Sequence, residues 1–146
     1  MTRERPAEVR YYFDADVLGL AKIMVQVRPD CTFPSDPGGM LHKRRRPACP
    51  ITTPATLDPD WIPEAARRGW LIITRDSNIQ GHRAEIDAVR ENGAKMIALA
   101  GKDSIGTWAQ LGVVLHHWRR IELAYDEPVP FIYSVTRTSF RLVSLT

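Results

Sequence analysis

The sequence predicts an α/β fold of three layers, α/β/α, built on a mainly parallel central sheet. Apolar runs alternate along the chain with segments whose apolar residues recur at helical spacing, the order that successive βα units produce. The run Trp70-Leu71-Ile72-Ile73-Thr74 is almost wholly apolar, as a strand covered on both faces must be. A length of 146 residues with 44% hydrophobic and 25% charged side chains suits a chain able to bury a core, and predicts a single domain over residues 1–146.

The elements follow in order. Arg10-Tyr11-Tyr12-Phe13 reads as the first strand, and residues 17–27 as a helix turning Val17, Leu18, Leu20, Ala21, Met24 and Val25 inward. The pattern then stops. Residues 28–57 hold six of the eleven prolines, a Gly-Gly pair and the basic run Lys43-Arg44-Arg45-Arg46, and read as a long Pro-rich basic loop, functional or mobile. A short helix over 58–68 follows, with Asp58 placed to cap it and Pro59 suited to the first helical position. Gly69 ends that helix and residues 70–74 form the central strand. Ile79, Ile86 and Val89 mark one face of a helix ending near Asn92-Gly93, and residues 96–100 give another buried strand. Trp108, Leu111, Leu115, Trp118 and Tyr125, with Val114 and Ile121, predict one long helix whose aromatic residues lie in the core. Residues 131–135 and 140–143 read as late strands around the polar turn Thr136-Arg137-Thr138-Ser139.

Twenty Lys and Arg against seventeen Asp and Glu give a formal charge of +3, so any nucleic-acid argument rests on where charge is placed. No stretch approaches the roughly 18 uninterrupted apolar residues of a membrane span, and the expectation is a cytoplasmic chain without leader or anchor. Cys31 and Cys49 read as free thiols; a zinc site drawing on them and His42 matches no ligand spacing. His42, His82, His116 and His117 show no metal spacing either, and none is assigned a catalytic role.

Side chains just past the carboxyl ends of parallel strands converge on one crevice, where such folds place ligands. Asp14 and Asp16 follow the first strand, Asp76 follows the central strand, and Asp58 opens the helix leading into it. Clustered carboxylates repel unless a divalent cation joins them, and Mg²⁺ or Mn²⁺ suits oxygen ligands and phosphodiester hydrolysis. Each aspartate also has a plainer reading: Asp58 and Asp16 as helix caps, Asp76 as a turn residue in Asp76-Ser77-Asn78. Asp14 is the hardest to explain away, because a charge directly after an apolar strand needs a partner. The run of residues 43–46 reads either as a phosphate contact or as a solvated loop, and Arg67, Arg68 and Arg75 either extend the same surface or complement helix ends.

The segment Phe13-Asp14-Ala15-Asp16-Val17-Leu18 resembles the opening of PIN domains. The later stretch from Asp58-Pro59-Asp60-Trp61 through Gly69 to Ile73-Thr74-Arg75-Asp76-Ser77-Asn78 resembles the PIN segment in which an acidic residue opens a helix leading to a strand that ends Thr-Arg-Asp. The eighteen-residue separation of Asp58 and Asp76 is similar to that of VapC-type toxins, and the resemblance runs from Tyr11 to about Thr138. It implies a metal-dependent endoribonuclease, the toxin of a type II toxin–antitoxin pair, with Asp14, Asp58 and Asp76 catalytic and ligating Mg²⁺ or Mn²⁺. Asp16 and Asn78 would complete the metal site, and Lys43, Arg44, Arg45, Arg46 and Arg75 would hold RNA. A cognate antitoxin and a homodimer are the implied protein partners. The chain departs from the family in two places. Asn78 stands where many relatives have Asp, and the further acid expected after the second strand has only Asp30 or Asp36 as candidates, Asp36 the better. These departures leave open a degenerate module that binds RNA or protein without cutting. Asp14-Ala15-Asp16 also fits the Asp-x-Asp of a haloacid-dehalogenase-type phosphatase, although Gly101-Lys102-Asp103 is a poor match for its second motif.

Overall fold

A computed structural model describes the backbone of residues 5–52, 58–76 and 78–146, and the side chains of these except Asp58, Pro59, Asp60 and Gln80. Strands β1 (Arg5–Pro6) and β2 (Tyr11–Phe13) precede a 3-10 turn, Ala15–Val17, and helix α1 (Leu18–Val27). Three short strands follow: β3 (Cys31–Thr32), β4 (Gly39–Leu41) and β5 (Arg44–Arg46). Helix α2 (Asp58–Arg67), strand β6 (Leu71–Arg75), the 3-10 turn Ile79–Gly81, helix α3 (Arg83–Asn92) and strand β7 (Lys95–Leu99) make up the middle of the chain. Helices α4 (Thr107–His116) and α5 (Trp118–Tyr125) lead to strands β8 (Phe131–Val135) and β9 (Phe140–Leu142).

The main sheet has the order β3-β2-β6-β7-β8-β9, parallel throughout except for the antiparallel edge strand β9. The period of two divides each strand between two cores. Tyr11, Phe13, Leu71, Ile73, Ile97 and Leu99 face α1, α4 and α5, while Tyr12, Ile72, Met96 and Ala98 face α2 and α3. This is the three-layer α/β/α arrangement that the apolar run at 70–74 predicts: Leu71, Ile72 and Ile73 are all fully buried. Truncating one of them to Ala would cost about 2–5 kcal/mol. Gly69 and Gly93, at φ +73° and +64°, end α2 and α3 in the left-handed conformation that side chains resist.

Two expectations are corrected. Residues 28–57 are not one irregular loop among the described positions. Cys31–Thr32 adds a parallel edge strand to the main sheet, and Gly39–Leu41 pairs with Arg44–Arg46 as a hairpin that β1 extends to a three-stranded sheet. His42 and Lys43 form its two-residue turn, both at positive φ (52° and 62°), as a tight hairpin matching strand twist requires. Prolines thus punctuate short strands here rather than prevent them. The long third helix is also two helices, broken at His117, whose Nε2 lies 2.8 Å from the Thr136 carbonyl oxygen. Helix α4 buries Gln110, Val113 and Val114 and leaves Trp108 86% exposed, so that aromatic is not core. Among the described residues no helix is long and apolar enough to cross a membrane.

Both cysteines are buried free thiols, and burial pushes each thiol pKa above its ordinary value. No cluster around them and His42 has metal-ligand geometry among the described residues.

Candidate metal centre at the carboxyl edge of the sheet

Thr74, within β6, and Asp14 and Asp76, just past the ends of β2 and β6, continue the two-residue period of Tyr12 and Ile72 on the α2–α3 face. Parallel pairing sets Phe13 opposite Ile73, and the Asp14 N–H donates to the Ile73 carbonyl at 2.9 Å, so Asp14 arrives at the level of Thr74. Asp14 is 6% exposed, and its Oδ1 accepts the Ala15 N–H at 2.6 Å, which caps the 3-10 turn. The Thr74 hydroxyl lies 3.2 Å from Asp14 Oδ2 and 2.9 Å from Asp16 Oδ2. A hydroxyl carries one proton and donates to one carboxylate at a time, so two negative groups share it. Asp16, on the exposed side, also lies 3.3 Å from the Arg75 N–H.

Asp76 stands one strand-end further along the same edge, 8% exposed, with its N–H donating to the Leu99 carbonyl at 2.9 Å. Its Oδ1 accepts the Asn78 N–H at 2.8 Å, and its Oδ2 meets His82 Nδ1. The turn Ile79–Gly81 reverses the chain so that His82, the residue before α3, returns onto Asp76. Glu85, in the first turn of α3 and 5% exposed, has a carboxylate oxygen 3.8 Å from His82 Nδ1. Asp76, His82 and Glu85 each offer a ligand atom, and these atoms all lie within 4.8 Å of one another.

Helix α2 brings Asp58 toward this edge. It packs Trp61, Ile62 and Ala65 on the same face as Ile72, and its last residue is followed within a few residues by the start of β6. It therefore runs antiparallel to the strands, with its first residue, Asp58, at the carboxyl end. The Asp58 side chain lies outside the described residues.

The sequence-derived site residues fall into distinct environments. Asp14 and Asp16 share Thr74, and Asp76 lies beyond them on the neighbouring strand. Asn78 is exposed, and its N–H rather than its amide serves Asp76. Lys43, Arg44 and Arg45 are exposed on the β4–β5 hairpin. Arg46 is not: it is 8% exposed and ion-paired with Asp36, itself 2% exposed, which corrects its reading as a phosphate contact. Asp36 also accepts from Thr32 Oγ1 at 3.0 Å and from the Gly38 N–H at 2.8 Å, so it is committed to the small sheet and does not supply the further acid. Asp30 is held by Arg28 at 2.8 Å. Arg75 Nε donates to the Ser104 carbonyl at 2.9 Å, and Glu64 pairs with Arg67 and Arg68, whose guanidinium groups lower its pKa.

His82, Glu85 and Thr74 are the residues that sequence reasoning missed. The signal was present as a His and a Glu three residues apart at the start of a helix, a spacing that puts both on one side. The carboxylates of Asp76 and Glu85 with the His82 imidazole form a donor set suited to a divalent cation, and Asp14 and Asp16 lie on the same edge of the sheet.

A family model described as a PIN-like domain matches residues 40–101, a span that includes the basic hairpin, Asp58, Asp76, His82 and Glu85. It stops short of Asp14 and Asp16. No curated protein and no solved structure matches the chain.

Proposed function

We propose that this chain is a metal-dependent endoribonuclease and the toxin of a toxin–antitoxin pair. The observation that carries the reading is the cluster of Asp76, His82 and Glu85 at the carboxyl edge of a parallel sheet that also carries Asp14 and Asp16 around Thr74. The similarity of residues 40–101 to PIN-like domains, which are commonly nucleases, supports it. Asp14, Asp58 and Asp76 are the ligands of a bound Mg²⁺ or Mn²⁺, with Asp16 and Asn78 orienting the groups around it. Glu85 supplies the extra acid that neither Asp30 nor Asp36 provides.

When bound, the cation supplies charge neutralisation and Lewis acidity at the scissile phosphate. The protein's own groups do the rest. Thr74 holds Asp14 and Asp16 at fixed separation from the strand ends. The exposed Lys43, Arg44 and Arg45, with Arg75, draw in a polyanion that the carboxylates alone would repel. The antitoxin is a small protein that covers this acidic edge, and the same reading includes a homodimer.

The test is incubation of the purified chain with single-stranded and structured RNA in Mg²⁺, Mn²⁺ or EDTA, beside Asp14→Asn. Cation-dependent cleavage that the variant loses is the expected result. Turnover of small phosphate esters without RNA cleavage would favour the phosphatase, and RNA retained in EDTA without cleavage would favour the binding module. Growth arrest on expression, relieved by the product of a small neighbouring reading frame, checks the toxin role.

A further inference from the structure

We propose that Asp76, His82 and Glu85 form a nitrogen-bearing cation site that takes Mn²⁺, and first-row ions beyond it such as Co²⁺, in preference to Mg²⁺. The inference rests on reading the carboxyl edge as a metal centre, and it names the ion that this edge selects.

Three observations support it. First, two largely buried carboxylates, on Asp76 and Glu85, lie with the His82 ring inside a span of 4.8 Å. A divalent ion placed among the three ligand atoms is attracted by both carboxylates at once. Second, the ligand atoms are held separately. Asp76 Oδ1 is fixed by the Asn78 N–H at 2.8 Å, which leaves Oδ2 toward His82, and Glu85 is anchored in the first turn of α3. Third, the His82 side chain is 55% exposed, so the triad is open on one side for an ion to enter and for a phosphate oxygen to complete its coordination.

Imidazole decides the preference. Mg²⁺ demands oxygen ligands in near-ideal octahedral geometry and dehydrates reluctantly. Affinity at a site with a nitrogen donor rises from Mn²⁺ through Co²⁺, and imidazole suits this series. Asp14 and Asp16 offer oxygen alone, so replacing His82 removes the only nitrogen donor among the site residues named here and leaves an oxygen set with little reason to prefer Mn²⁺.

The measurement is titration of the full chain with Mn²⁺, following loss of the free-ion EPR signal, with and without competing Mg²⁺. The wild-type chain, His82→Ala and Glu85→Gln are compared, and circular dichroism confirms that each is folded. His82 is exposed, so its variant keeps the test open if Glu85→Gln does not fold. The expected result is at least a tenfold loss of Mn²⁺ affinity in His82→Ala with Mg²⁺ affinity within about twofold of wild type. Unchanged Mn²⁺ affinity in His82→Ala, or a folded wild-type chain that binds no Mn²⁺, overturns the proposal. Tight, His82-dependent Mn²⁺ binding without RNA cleavage upholds the site and sinks only the ribonuclease reading.

Discussion

Asp36 and Asp76 are both almost fully buried carboxylates, yet the chain meets their charge in opposite ways. Asp36 lies in the small sheet against the guanidinium of Arg46, with Thr32 and the Gly38 N–H filling its remaining positions. Asp76 lies at the carboxyl edge of the main sheet beside a second buried carboxylate, Glu85, and its nearby base is an imidazole open to solvent. The first arrangement is closed and internally neutral. The second sets two carboxylates around one imidazole and keeps one side accessible, which is what an ion-binding site requires and a structural ion pair avoids.

The sharpest way to break this comparison is to unpair each carboxylate. Asp36→Ala leaves Arg46 buried without its partner, and breaking a buried pair from one side costs about 3–5 kcal/mol. Urea unfolding should show that loss, and a cost below about 1 kcal/mol would place Asp36 with the solvated groups instead. Asp76→Asn should do the reverse. It relieves repulsion with Glu85, so stability in EDTA should hold or rise, while RNA cleavage falls by about 100-fold or more, as when a group acting on developing charge is removed. A loss of stability in EDTA comparable to that of Asp36→Ala would show that Asp76 is a structural residue after all.

Much of the fold was legible because the period of the apolar residues is a local property. The two-sided burial of Leu71, Ile72 and Ile73 fixed a central strand, and the separate apolar stripes of α2 and α3 fixed the layer on one side. The aspartates of the edge were legible for the same reason, since the end of an apolar run marks the end of a strand. His82 and Glu85 were not. Their place depends on the turn Ile79–Gly81 folding the chain back onto Asp76, which no apolar periodicity encodes. Arg46 was read with its neighbours as a charge run, although strand alternation separates it from Arg45, and only the return of Asp36 shows which side is interior. The short strands at Cys31–Thr32 and Gly39–Leu41 were hidden because two or three residues are too few to display a period.

Trp108 was misread for a different reason, since α4 carries apolar residues on two sides and the stripe of Trp108 and Leu115 is the outer one, and it provides the smallest effect expected. At about 100° per residue the buried Gln110, Val113 and Val114 of α4 and Ile121 and Ala124 of α5 fall on one side, and Trp108 falls on the opposite side. Trp118 and Tyr125 then pack beside Tyr11, at ring separations of 4.8 and 5.8 Å, and Trp108 faces out. Trp108→Ser should therefore change stability by no more than about 0.5 kcal/mol, the range of a surface substitution. Trp61→Ala, on the buried face of α2, should cost about 3–5 kcal/mol. Thermal unfolding of the two variants checks the orientation of α4 directly: if Trp108→Ser costs as much as Trp61→Ala, then Trp108 lies in the core and α4 turns its other face outward.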